Sequence, residues 1–133
     1  VQNPEQQLRQ YSAKLLFQFR PVRKGVSPKH RLCEERIVTF AARSPKSALS
    51  KAKRYGKSEE FTSSQSDVRV HFEFVGLLEL LDVTNSYSAG EVWYDLVERV
   101  QPRERRSRII PPEHELDALT KSGPRRGRRL KIW

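Results

Sequence analysis

The residues best suited to chemistry in this chain are its histidines, its lone cysteine and the carboxylates near them. His30, His71 and His114 stand in a loop, on a strand and in the C-terminal tail, with no spacing among them that suits a metal. Cys33 has no second cysteine and no HxxC or CxxC pattern around it. It lacks the signature of a nucleophile and reads as a small buried side chain. Glu34 and Glu35 fall on opposite faces of any regular strand, so they form no acid–base pair. His71 and Glu73 do share a strand face, with Arg69 before and Glu79 beyond. They could serve a metal or general acid–base role, although a solvated, charge-paired sheet face is the plainer reading. No phosphate-binding GxxxxGK, nucleophile-elbow GxSxG or dinucleotide GxGxxG is present. No catalytic residue, metal or cofactor is therefore expected.

Positive charge is the stronger signal. The chain carries 26 Lys and Arg against 16 Asp and Glu, a net charge of +10. Residues 101–133 hold ten of the cations against four acids, and residues 1–100 hold sixteen against twelve. Arg125, Arg126, Arg128, Arg129 and Lys131 cluster around Gly127, and Trp133 follows. Arginines of this kind neutralise phosphates, and an aromatic can stack on a base. Lys46, Lys51, Lys53 and Arg54 extend the surface from a predicted helix. The expected partner is an acidic protein or a nucleic acid bound through its backbone, because no RNP, helix-turn-helix or zinc-finger pattern appears. A merely solubilising tail is the plain alternative.

These residues need a scaffold, and the stretch VRVHFEFVGLLELLDV, residues 68–83, organises it. Val68, Val70, Phe72, Phe74, Leu78 and Leu80 share one parity and hence one face of a pleated strand. Leu77 and Leu81 fall on the other face. At about 3.3 Å per residue the stretch would run roughly 50 Å, so a bulge or bend is expected at Gly76. YSAKLLFQF alternates cleanly, with Tyr11, Ala13, Leu15, Phe17 and Phe19 on one side, and predicts a strand. Residues 21–30 carry two prolines and a glycine and predict a cationic loop. Ile37 to Phe40 mark a second strand. If it pairs with the first, Lys14 or Arg20 comes near Glu34 and Glu35, a contact contributing about 0.2–1 kcal/mol.

SPKSALSKAKRYG predicts the main helix. Ser44 is a suitable N-cap and Pro45 suits the first turn. Ala48, Leu49, Ala52 and Tyr55 form its apolar side, and Gly56 stands where a C-cap belongs. The helix should cover Phe72 and Phe74. Residues 57–67 predict a loop or hairpin, with Phe61 opening a short strand. EVWYDLVERV predicts a last strand beside the 68–83 strand. After Pro102 come the charge run RERRSR, an extended Ile109–Pro112 and a short helix in EHELDALTKSG.

The sum is an α+β domain over residues 11–100, an antiparallel sheet of four to five strands with one main helix on one face. Residues 101–133 form a basic C-terminal extension. The opposite sheet face, with Trp93, Val97, Leu77 and Leu81, would suit a folded-back C-terminal segment or a second copy. The hydrophobic fraction is 36%, and no apolar run reaches the about 18 residues of a membrane helix, so no membrane partner is expected. The N-terminus lacks the apolar core of a secretory signal, and a lone cysteine suits a reducing compartment.

YSAKLLFQF, CEERIVTFAARS, ALSKAKRYGK, FEFVGLLEL and GEVWYDL, in this order, resemble a family of small bacterial proteins catalogued as a domain of unknown function. The resemblance covers roughly Tyr11 to Arg99 and implies a bacterial, cytoplasmic, single-domain protein with no activity to transfer. The helix-on-sheet outline is also similar to that of small immunity proteins of bacterial toxin systems, a fold-level analogy. Three functions follow: an interaction module for an acidic partner, an immunity-type protein blocking a toxin through its sheet face, and a small hydrolase using His71 and Glu73.

Overall fold

The computed structural model describes residues 7–84 and 91–120, with backbone alone for 91–95. In chain order the elements are β1 (Arg9–Arg23), β2 (His30–Ala42), α1 (Pro45–Ser58), β3 (Phe61–Gln65), β4 (Val68–Asp82), β5 (Glu91–Val100) and the one-turn α2 (Arg106–Ile109). Two 3-10 turns follow, at Glu113–Glu115 and Asp117–Leu119. The strands form one antiparallel sheet in the order β3-β4-β1-β2-β5.

The middle of the sheet is β1, not the longer apolar run that became β4. Its Tyr11, Ala13, Leu15 and Phe17 are buried towards α1, and its Leu16 and Gln18 are buried on the opposite side. β1 also outruns its expected end, because Pro21 to Arg23 continue the ladder against Val70 to Val68. The loop expected over residues 21–30 shrinks accordingly to a short turn.

β4 bends through two register shifts against β1, one between its partners Phe74 and Gly76 and one between Leu77 and Glu79. The unpaired residues are Val75 and Leu78, on either side of the expected bend at Gly76. Each bulge reverses parity. Leu77 therefore joins Phe72 and Leu80 in the helix-side core, whereas Leu78 turns to the other face beside Leu16, Cys33 and Val75. This corrects the parity reading of both leucines.

α1 lies where expected, over Phe72 and Phe74. The Ser44 hydroxyl caps it by accepting from the Ser47 N–H at 3.1 Å. Ala48, Ala52 and Gly56, spaced by four, are its buried stripe. Gly56 is not the C-cap. The helix runs on to Ser58, and a Cβ at Gly56 would stand 2.6 Å from the Phe74 ring. Glycine is required there for close approach of helix and sheet.

β5 pairs with β2, at the far edge from β4. The hairpin strand β3 already holds the outer side of β4 from Val68 to Phe72, and β1 holds its inner side. The free partner left for β5 is β2, where Cys33 faces Val97 and Glu35 faces Asp95.

Residues 101–120 act as a strap. Pro102 is fully buried. Ile109 and Ile110 pack on the Leu16, Cys33 and Val75 cluster, behind the sheet, with Ile110 against Gly76. Leu116 then enters the core on the α1 side. The strap thus rounds the outer edge of β4, and the helix expected in EHELDALTKSG is replaced by the two 3-10 turns. Pro111 and Pro112 direct an extended chain around that corner, which leaves too few residues for regular helix before Leu116 and Leu119 must dock.

Candidate binding cleft for an acidic partner

The strap and α1 leave a cleft of about 350 Å³ between them, open at the outer edge of β4. Its floor is Phe74, Val75, Gly76 and Leu77, with Ile110, Pro111 and Leu116 from the strap. Its rim carries Lys53, Arg54 and Lys57 from α1 and Arg106 from α2, against one carboxylate, that of Glu113. Local sequence places these groups. The buried stripe of Ala48, Ala52 and Gly56 sets α1 flush on the sheet, so residues one position later in each turn, Lys53 and Lys57, stand at its flank. α2 is held opposite by Pro102 and by two ion pairs, Arg31 to Glu104 at 2.8 Å and Arg103 to Glu73 at 3.1 Å.

The cations of the cleft differ in their commitments. Lys53 pairs with Glu113 at 3.1 Å across the mouth. Lys57 lies 3.8 Å from Glu60. Arg54 and Arg106 are exposed and have no carboxylate partner among the described residues. Of the other expected helix residues, Lys51 donates to the Ala41 carbonyl at 2.8 Å and lies over the Phe40 ring, and Lys46 is exposed in the first turn. The structure therefore gathers Lys53 and Arg54 at the cleft but not Lys46 and Lys51. Arg125, Arg126, Arg128, Arg129, Lys131 and Trp133 lie outside the described residues. Arg106 belongs to the run RERRSR, whose charge density was the one signal available; which of its arginines meets α1 depends on how the strap folds.

Behind the sheet Arg20, Arg31, Arg99 and Arg103 are committed to carboxylates. The Gln18 side chain, fully buried, donates to Glu73 at 2.9 Å and accepts from Arg31 at 3.2 Å. Glu73 also accepts from Arg20 at 2.6 and 3.1 Å. Burial pushes the Glu73 carboxyl up, but the bonds from Arg20 and Gln18 and the charge of Arg103 outweigh it, so its pKa is lowered. Such a carboxylate is a poor proton acceptor. His71 bonds Thr62 at 3.0 Å instead. Lys14 reaches Glu35 at 3.1 Å, the cross-strand pair that the sequence anticipates. Burial raises the Cys33 thiol to about 11. Among the described residues no group of three His, Cys, Asp or Glu could hold a metal ion, and no helix is long and apolar enough to cross a membrane.

On the helix side, Arg36 is a tether. Its guanidinium sits 4.8 Å from the Phe17 ring centroid, bonds Glu34, and reaches the Tyr55 hydroxyl at 2.8 Å and Glu59 at 2.5 Å. It joins β2 to the end of α1 and so fixes the turn that presents Arg54 and Lys57.

No curated protein and no solved structure matches the chain. The model of one family does, across residues 10–93, which spans the sheet through β4, the helix and the start of β5. The chain belongs to the family described as Domain of unknown function DUF4288.

Proposed function

We propose that the protein is a non-enzymatic interaction module that engages an acidic partner, protein or nucleic acid, through the cationic rim formed by α1 and α2. The basic segment from Arg125 to Lys131 adds long-range attraction, and Lys46 extends the charged surface along α1. The observation that carries this reading is a contrast. Arg20, Arg31, Arg99 and Arg103 all bind carboxylates behind the sheet, whereas Arg54 and Arg106 face each other's side of an open cleft unpaired by any described residue. Exposed unpaired cations in a concave setting attract counter-ions and speed association. The setting implied by the family resemblance, a bacterial cytoplasm, supplies both classes of acidic partner. The strap takes up part of the sheet face that a toxin-blocking or dimerising surface would use, which favours the rim.

The test is a binding series over increasing salt, with a generic nucleic acid and with an acidic protein. Affinity should fall steeply with salt. Arg54→Glu with Arg106→Glu should weaken binding at least tenfold at low salt, and replacing the five tail cations by Gln should flatten the salt slope. Equal, salt-insensitive binding by all forms overturns the reading.

A further inference from the structure

β3 lines the outer edge of β4 from Val68 to Phe72 and ends there. Among the described residues no strand continues that row beside Phe74 to Leu77, and the strap crosses the edge without a backbone hydrogen bond to it. The cleft is centred on this stretch. We infer that the cleft is a strand-addition site, in which an extended peptide carrying apolar and acidic residues on both its faces pairs with the β4 edge between α1 and α2. The inference rests on the acidic-partner reading and names the partner's form.

Three observations favour a peptide. First, an unpaired strand edge is a row of backbone donors and acceptors, and an extended chain satisfies both. One such donor, the Phe74 N–H, already takes a carboxylate, that of Glu60 at 2.9 Å. Second, both walls suit such a chain. Side chains directed to the α1 face would meet Leu77 and Leu116 beside Arg54 and Lys57, and those directed to the other face would meet Ile110 beside Arg106. Four residues of edge extend about 13 Å at about 3.3 Å each, enough for a short peptide. Third, the one aromatic in the cleft, Phe74, has its ring against Gly56 and Phe17, so it offers little face for a base to stack on. The chain's own segment from Arg125 to Lys131 carries the same sign of charge as the rim, which argues against it as the occupant.

The experiment uses the full chain and four probes: a glutamate–valine octapeptide repeating Glu-Glu-Val-Val, two versions of it N-methylated at either the odd or the even amides, and an oligothymidylate of matched charge. The glutamate–valine peptide should bind, with amide shifts at Val75 to Leu77. One N-methylated version should lose at least tenfold in affinity and the other should keep it, since an added strand pairs through one edge. Arg54→Glu with Arg106→Glu should weaken the peptide at least tenfold at unchanged melting temperature. Equal affinity of the two methylated peptides overturns strand addition while leaving the acidic-partner reading standing. Tighter binding of the oligothymidylate in the same cleft overturns it in favour of nucleic acid. If no acidic probe binds, both fall.

Discussion

On its α1 side the sheet meets a regular helix through Ala48, Ala52 and Gly56 and closes over stacked rings, Phe17 on Phe72 at 4.8 Å and Phe72 on Phe61 at 5.0 Å. On its strap side it meets an irregular segment through the small cluster of Leu16, Cys33, Val75, Ile109 and Ile110, surrounded by Gln18, Arg20, Arg31, Glu73, Arg103 and Glu104. The first closure rests on apolar area and packing. The second rests on directional bonds between groups that would each be costly to leave unpaired. The difference teaches where a surface can be spared for a partner. Cations that hold the strap are consumed by it, whereas Arg54 and Arg106 at the cleft, where the two closures meet, have no carboxylate partner among the described residues.

Substitution can break this contrast. The largest effect is expected at Phe17, fully buried beneath Phe72, Phe74 and the Arg36 guanidinium. Phe17→Ala should cost about 3–5 kcal/mol, the range for buried aromatic truncation, measured by urea unfolding. A loss below about 1 kcal/mol would show that the helix side is not the main core.

On the strap side, Glu73→Ala removes the acceptor shared by Gln18, Arg20 and Arg103. It should cost about 1–3 kcal/mol through the donors left unsatisfied, and protection of the strap amides from hydrogen exchange should fall. Unchanged exchange in residues 101–110 would mean that Ile109, Ile110 and Pro102 hold the strap without the network.

This asymmetry also governs how much could be read in advance. The α1-facing sides of Tyr11 to Phe19 and Val68 to Phe74 and the apolar side of the helix follow from periodicity, and the Ser44 cap from residue type; that β1 is buried on its other face too, through Leu16 and the polar Gln18, does not. Leu77 and Leu78 could not be assigned, since two bulges reverse parity in a run that is apolar throughout. The pairing of β5 with β2 has no local signature; it follows from which edges are already occupied. Gly56 shows the same limit, as a glycine near a helix end signals a cap unless a ring from elsewhere needs the space. For the cleft, Lys53 and Arg54 were legible as charge on a helix. Arg106, Ile110 and the β4 edge were not, because three separate segments make the cleft.

Gly56→Ala separates the two roles of that glycine. Helix propensity alone favours alanine by about 1 kcal/mol. A new Cβ 2.6 Å from the Phe74 ring forces overpacking of about 1–3 kcal/mol. The net should be destabilising by about 1 kcal/mol, and in a Phe74→Ala background the same change should become stabilising. Stabilisation in the native background would mean that the ring moves aside freely.

Acid should loosen the strap side before the helix side. The Glu104 carboxyl is lowered by its bond from Arg31, and that of Glu73 is lowered on balance, as its charged partners overcome burial. Their folded pKa values lie below the ordinary 4.5, so the unfolded chain binds more protons in that window and stability falls with pH. The contribution is present above about pH 4.5 and drains away below it. Denaturant midpoints should hold steady from neutral pH to about 5.5 and then drop. Glu73→Gln should flatten the drop, whereas Phe17→Ala should shift the whole curve down without changing its shape.

The smallest effect on stability is expected where the two closures meet. Lys53 and Glu113 bridge the cleft mouth with half of each side chain in water, and exposed pairs of this kind contribute about 0–1 kcal/mol. The end of the strap is held instead by Leu116, buried in the helix-side core. Glu113→Gln should therefore leave the urea midpoint almost unchanged. It removes the one carboxylate of the cleft lining and releases Lys53. Affinity for an acidic peptide should rise several-fold, with the gain disappearing at high salt as Debye screening shortens the reach of the freed charge. A fall in affinity would mean that Glu113 contacts the partner directly, and the charge logic of the rim would have to be redrawn around an acceptor.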